Sequence, residues 1–177
     1  MTTVGKVLVT GGVRSGKSRH AESLLADAPA VTYVAAGPRY DDADWAARVA
    51  AHQARRPVGW STAETRDVGG MVEAATSPVL VDCLGTWLTG VIDDAGLWDA
   101  PVAAIEAHVR GHLDALLAAL AATDQAVVLV TNEVGLGVVP EHRSARLFRD
   151  LLGTVNQQVA AACDEVHLVV AGRVLRL

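Results

Sequence analysis

The chain alternates short aliphatic runs with longer stretches whose apolar positions recur every three or four residues. Residues 6–10 (Lys-Val-Leu-Val-Thr) form one such run, end in glycines and read as a buried strand. Residues 18–27 follow as a helix, closed by Asp27 and Pro29. Residues 31–36 are a second strand, stopped by Gly37 and Pro38, and residues 41–56 an Ala-rich helix ended by Pro57. The stretch 58–77 is mixed and turn-rich, with a short helix near 68–75. A strand over 79–82, a helical stretch over 87–92 and a loop at 93–96 come next. Residues 101–122 place apolar side chains at 102, 105, 109, 113, 116, 117 and 120, the steps of an amphipathic helix. A strand over 126–131 and a long helix over 141–163 follow. Two last strands, 166–170 and 173–177, flank Ala171-Gly172, a two-residue hairpin turn.

Strands that are apolar throughout and alternate with helices predict an α/β fold, its parallel sheet covered on both faces. The terminal hairpin adds one antiparallel edge strand. At 177 residues the expectation is a single domain over 1–177, with no repeat or linker. Hydrophobic residues are 51% of the chain and aromatics only 4%, so Val, Leu and Ala must fill the core. The net charge of −5 argues against sequence-independent nucleic-acid binding, which needs dense Lys and Arg. Two cysteines, Cys83 and Cys163, make no disulfide framework or zinc motif. No apolar run reaches ~18 residues and no signal peptide is legible, so a cytoplasmic protein without a membrane span is expected.

Gly11, Gly12, Val13, Arg14, Ser15, Gly16, Lys17 and Ser18 fit G-x-x-x-x-G-K-[ST], between a strand and a helix. Glycines let backbone N–H groups turn inward around phosphate oxygens, at the positive end of the following helix. Lys17, one of two lysines against thirteen arginines, would reach the β- and γ-phosphates, and Ser18 would hold Mg²⁺. Asp82, ending an apolar run, suits the carboxylate that orders the metal's water shell; an alternative use is capping the next helix. The motifs predict a P-loop NTPase-type, three-layer domain that binds a nucleoside triphosphate with Mg²⁺, and leave the acceptor open.

Arg48, His52, Arg55 and Arg56 fall on one face if residues 41–56 are helical. The guanidiniums would bind phosphates and oppose protonation of His52, keeping it neutral and nucleophilic. Attack on an α-phosphorus would then transfer a nucleotidyl group to the ring. Spacing alone equally describes a solvated Arg-rich helix with an incidental histidine. Histidines 20, 108, 112, 142 and 167 lack such company in the sequence and read as incidental or structural.

Four segments together resemble the bifunctional adenosylcobinamide kinase / adenosylcobinamide-phosphate guanylyltransferase family of cobalamin biosynthesis. They are residues 8–22 (Leu-Val-Thr-Gly-Gly-Val-Arg-Ser-Gly-Lys-Ser-Arg-His-Ala-Glu), the 48–64 stretch ending Trp-Ser-Thr-Ala-Glu, residues 81–84 (Val-Asp-Cys-Leu) and residues 131–140 (Thr-Asn-Glu-Val-Gly-Leu-Gly-Val-Val-Pro). The resemblance implies that ATP or GTP phosphorylates the aminopropanol hydroxyl of adenosylcobinamide. GTP then guanylylates a histidine matching His52, and GMP passes to adenosylcobinamide phosphate. It implies nucleotide contacts at residues 11–18, at Ala36, Gly37 and Pro38, at Gln53, Ala54, Arg55 and Arg56, and at Glu64 and Asp82. Asn132 and Glu133, beyond a strand's carboxyl end, are expected near the corrinoid or nucleotide. A homotrimer is also implied by the resemblance. The competing readings are a P-loop small-molecule kinase without nucleotidyl transfer and a nucleotide-binding regulatory module.

Overall fold

The computed structural model describes residues 4–38 and 57–177, and the helix expected over 41–56 lies outside them. In chain order the elements are β1 (Lys6–Gly11), α1 (Lys17–Leu24), β2 (Val31–Ala35), β3 (Trp60–Glu64), α2 (Val68–Glu73), β4 (Val79–Asp82) and α3 (Leu84–Asp94). After these come α4 (Val102–Ala122), β5 (Val127–Val130), α5 (Arg143–Ala161), β6 (Glu165–Val170) and β7 (Arg173–Arg176). The strands form one seven-stranded sheet in the order β3-β2-β4-β5-β1-β6-β7. Every pairing is parallel except β6 with β7, as the hairpin predicted.

Side-chain alternation along the strands builds two cores. Leu8, Val34, Val79, Val81, Val127 and Leu129 point to the face covered by α2, α3, α4 and α5. Val7, Val9, Val31, Tyr33, Leu80, Val128, Val130 and Val169 point to the other, where α1 packs with Ala21 and Leu25. Strands with both faces buried need apolar residues at every position, which explains their uninterrupted valine runs. On α4 the stripe Ile105, Val109, Leu113, Leu116 and Leu120 is buried, whereas Val102, in the first turn, is 46% exposed. Helix α3 begins three residues earlier than expected and buries Leu84, Trp87, Leu88, Val91 and Ile92.

The stretch expected to be mixed and turn-rich contains β3. Its Trp-Ser-Thr-Ala-Glu sequence has little apolar alternation because it is a mostly exposed edge strand. Its strand conformation comes from parallel pairing with β2, Val31 opposite Trp60 through Ala35 opposite Glu64. At the other edge, Ala171 and Gly172 have φ of 49° and 75°, the positive pair of a type I′ turn. None of the described helices is long and apolar enough to cross a membrane.

Candidate functional site

Because β1 to β5 are parallel, their carboxyl ends share one edge of the sheet, the edge at which open α/β folds bind ligands. The described candidate residues gather there. Residues 11–18 leave β1, residues 36–38 leave β2, Glu64 and Asp82 end β3 and β4, and Asn132 and Glu133 follow β5. The chain crosses from β1 to β2 on one side of the sheet and from β5 to β6 on the other, so β1 and β5 flank the divergence.

The loop after β1 has the geometry of an anion cradle. Arg14 (φ 55°) and Gly16 (φ 97°) are left-handed, which turns successive N–H groups inward. Gly16 caps α1 without a side-chain bond, leaving the helix's first amides for a ligand. Lys17 Nζ donates to Gly12 O at 3.0 Å, holding the ammonium over the loop. Ser15 Oγ is buried without a hydrogen-bond partner, and a side chain on Gly11 would come within 2.7 Å of it. The β6–β7 turn braces the cradle from behind: Gly172 N–H donates to Ser15 O at 2.8 Å.

Across β5, Asp82 accepts a hydrogen bond from Tyr33 Oη at 3.0 Å. It does not cap α3; Cys83 occupies that position and makes no side-chain cap bond. Tyr33 escaped sequence reasoning because it meets Asp82 only through the pairing of β2 with β4. Ser18, half-buried, and Asp82 supply a hydroxyl and a carboxylate at the shared edge. Among the described residues no cluster of three or more His, Cys, Asp or Glu could hold a metal by itself. Such a sparse donor set fits Mg²⁺, which keeps waters and takes further oxygens from substrate phosphates. Asp82→Asn is therefore expected to cut phosphoryl transfer steeply while the melting temperature shifts by less than about 3 °C. A collapsed melting temperature with normal turnover of the folded fraction would make Asp82 structural.

Glu133 N–H donates to Gly11 O at 3.1 Å, joining the 132–140 loop to the phosphate loop, and Glu133 Oε1 accepts from Gly135 N–H at 2.6 Å. Arg149 Nη2 donates to Gly135 O at 2.8 Å. Asn156, on α5, accepts from Thr131 Oγ1 at 2.6 Å and donates to Asn132 O at 3.1 Å. Asn132 Oδ1 is buried without a hydrogen-bond partner. Arg149 and Asn156 lie on the helix the periodicity predicted, but nothing in the sequence linked them to this loop. The Cys83 thiol is pushed up by burial and then by the Asp82 carboxylate, and burial takes Cys163 to about 12. Neither is a thiolate nucleophile at neutral pH.

His20 and His167 do have company. His20 Nε2 lies 2.9 Å from His167 Nδ1, and His167 Nε2 lies 2.8 Å from Glu165 Oε2. A carboxylate only accepts, so His167 Nε2–H is the donor to Glu165. The chain of bonds ties α1 to β6, a structural role. Burial first, then His167 and Arg176, lowers the pKa of His20 below 6.5. The unfolded chain thus binds the proton more readily, and stability declines as pH falls from 6.5 toward the lowered value. His20→Gln, which keeps a donor, should show a smaller drop in melting temperature than the parent between about pH 7.5 and 5.5. An equal drop would remove His20 from the linkage.

A phosphate cradle on β1, a carboxylate on β4 and one strand between them define a P-loop nucleotide-binding α/β protein. The fold is shared with a type III secretion system ATPase of pathogenic bacteria, at a TM-score of 0.58 and 10% identity, covering 93% of this chain and 50% of that one. Residues 7–177 match the family described as cobinamide kinase / cobinamide phosphate guanyltransferase, and the chain belongs to that family. It is 47% identical to the bifunctional adenosylcobalamin biosynthesis protein CobU of Salmonella typhimurium, over 94% of this chain and 96% of that protein. To the protein of the same name from Escherichia coli it is 45% identical, with the same coverage. To the bifunctional adenosylcobalamin biosynthesis protein CobP of Pseudomonas aeruginosa it is 39% identical, over 93% and 92%. His52, Gln53, Ala54, Arg55 and Arg56 lie outside the described residues.

Proposed function

We propose that the chain performs both reactions of its family at the carboxyl edge of this sheet. It phosphorylates the aminopropanol hydroxyl of adenosylcobinamide with ATP or GTP, then transfers GMP from GTP to adenosylcobinamide phosphate through His52. The gathering of the described candidates along one edge carries the reading. In the first reaction the inward amides of residues 12–18 bind the β- and γ-phosphates, and Lys17 stabilises charge as the γ-phosphoryl group leaves. Ser18 and Asp82 would hold Mg²⁺, which when bound neutralises phosphate charge. Asn132 and Glu133, joined to the phosphate loop through the Glu133 amide, would meet the acceptor.

In the second reaction a neutral His52 ring nitrogen attacks the α-phosphorus. A P–N bond forms as the P–O bond to pyrophosphate breaks. The substrate phosphate then attacks the same phosphorus, the P–N bond breaks, and adenosylcobinamide-GDP leaves. Arg55 and Arg56 would steady the triphosphate, with Ala36, Gly37, Pro38, Gln53, Ala54 and Glu64 completing the nucleotide contacts. The whole chain acts as one cytoplasmic domain in a homotrimer, an assembly that sedimentation would test. The function is tested with GTP labelled in its α-phosphate or in its γ-phosphate. Retention of the α-label alone on denatured protein, with pyrophosphate released, is expected. No retained label would leave a small-molecule kinase.

A further inference from the structure

We propose that Glu133 is a catalytic residue of the phosphoryl transfer, taking the proton of the acceptor hydroxyl, and that Arg149 positions it; this rests on the kinase reaction proposed above. An alcohol that attacks phosphorus must shed its proton. Residues 11–18 offer a triphosphate amides, an ammonium and neutral hydroxyls, none of which takes up a proton readily at neutral pH. Among the described residues, three carboxylates stand at or just beyond a strand's end on the shared edge: Glu64, Asp82 and Glu133. The strand order ranks them. β5, which Glu133 follows, lies directly beside β1, and β4 is one strand further. β3 is four strands from β1, roughly 19 Å at the usual strand spacing, which takes Glu64 away from the phosphate loop. Asp82 accepts from the Tyr33 hydroxyl and has the metal to serve. Glu133 is left for the acceptor.

The carboxylate is fixed at both ends. The Glu133 N–H donates to Gly11 O, at the start of the phosphate loop, and Oε1 accepts from Gly135 N–H at 2.6 Å. Oε2 bonds to no described residue, which leaves it to take a proton. Gly135 uses its other backbone group as well, since its carbonyl accepts from Arg149 Nη2 at 2.8 Å. Two turns further along α5, Asn156 bonds Thr131 Oγ1 and Asn132 O. One face of α5 therefore grips the loop on both sides of Glu133. Position 135 is also confined, because a Cβ there would fall 3.0 Å from Glu133 Oε1. In the transfer the hydroxyl O–H bond breaks and its proton passes to Glu133 Oε2. The electron pair left on oxygen forms the new O–P bond as the P–O bond to the β-phosphate breaks. The nucleoside diphosphate leaves, and the carboxyl returns its proton to water.

Glu133→Gln tests this, because its amide oxygen can still accept from Gly135 N–H while the basic oxygen is lost. Its kcat for cobinamide phosphorylation should fall by about 10²- to 10⁴-fold. The KM values for ATP and cobinamide, and the Mg²⁺ concentration giving half-maximal rate, should stay within about threefold. GMP-adduct formation from GTP, which uses no acceptor hydroxyl, should stay within about twofold. Arg149→Met should lower the same kcat roughly tenfold with the KM for ATP unchanged, and Arg149→Lys should recover part of the loss. Phosphorylation by Glu133→Gln at the parent's rate would overturn the proposal. So would a strongly raised Mg²⁺ requirement, which puts the carboxylate in the metal's shell, or an equal loss of adduct formation. If Glu133→Gln does not fold, the Arg149 pair decides, and an unchanged kcat in Arg149→Met overturns the proposal. A parent protein that phosphorylates no cobinamide would instead overturn the kinase reading.

Discussion

Lys17→Ala is expected to lower phosphorylation of cobinamide by about 10²- to 10³-fold, the cost of removing one preorganised charge from a transition state. The size of the loss depends on what else could supply that charge. Lys6 is the other lysine, and it starts β1, at the opposite end of the strand from the cradle. The backbone geometry of the loop comes from Arg14, Gly16 and the Gly172–Ser15 bond, none of which needs the ammonium. The inward amides of the loop should therefore persist in the variant while the β- and γ-phosphates lose the lysine's charge. Lys17 makes one side-chain bond, to Gly12 O near the surface, so thermal unfolding should barely change. Steady-state phosphorylation with ATP, together with a melting curve, checks this. Full turnover by the folded variant would sink the phosphate-loop assignment.

The second large effect separates the two reactions. His52→Ala should form no GMP adduct and transfer no guanylyl group, yet phosphorylate cobinamide within about twofold of the parent. The asymmetry is chemical: γ-phosphoryl transfer needs a positioned hydroxyl, charge stabilisation and the loop, but no covalent acceptor. The parent adduct should be a phosphoramidate, labile in acid and stable in mild base. Losing Arg55 or Arg56 should slow guanylylation without moving its site, because a guanidinium holds phosphate but does not replace the nucleophile. Mass spectrometry of GTP-treated parent and variant reads both results. An adduct on the His52→Ala protein would show that another residue is the acceptor.

The sequence by itself determined the elements that carry local physical signals. Valine runs meant strands buried on both faces, the three-and-four stripe of α4 meant a one-sided helix, and Ala171-Gly172 meant the closing hairpin. The phosphate loop was legible for the same reason, since its glycines and lysine act within eight consecutive residues. Strand β3 was not, because an exposed edge strand has little hydrophobic period and is held by its partner's backbone. Tertiary structure alone decided the strand order, and with it which distant side chains meet. That order set Tyr33 beside Asp82, His20 against His167, Asn156 on the β5 exit and Arg66 on Gly37. Such contacts join residues 24 to 147 positions apart, through single hydrogen bonds that leave no periodic trace in the chain.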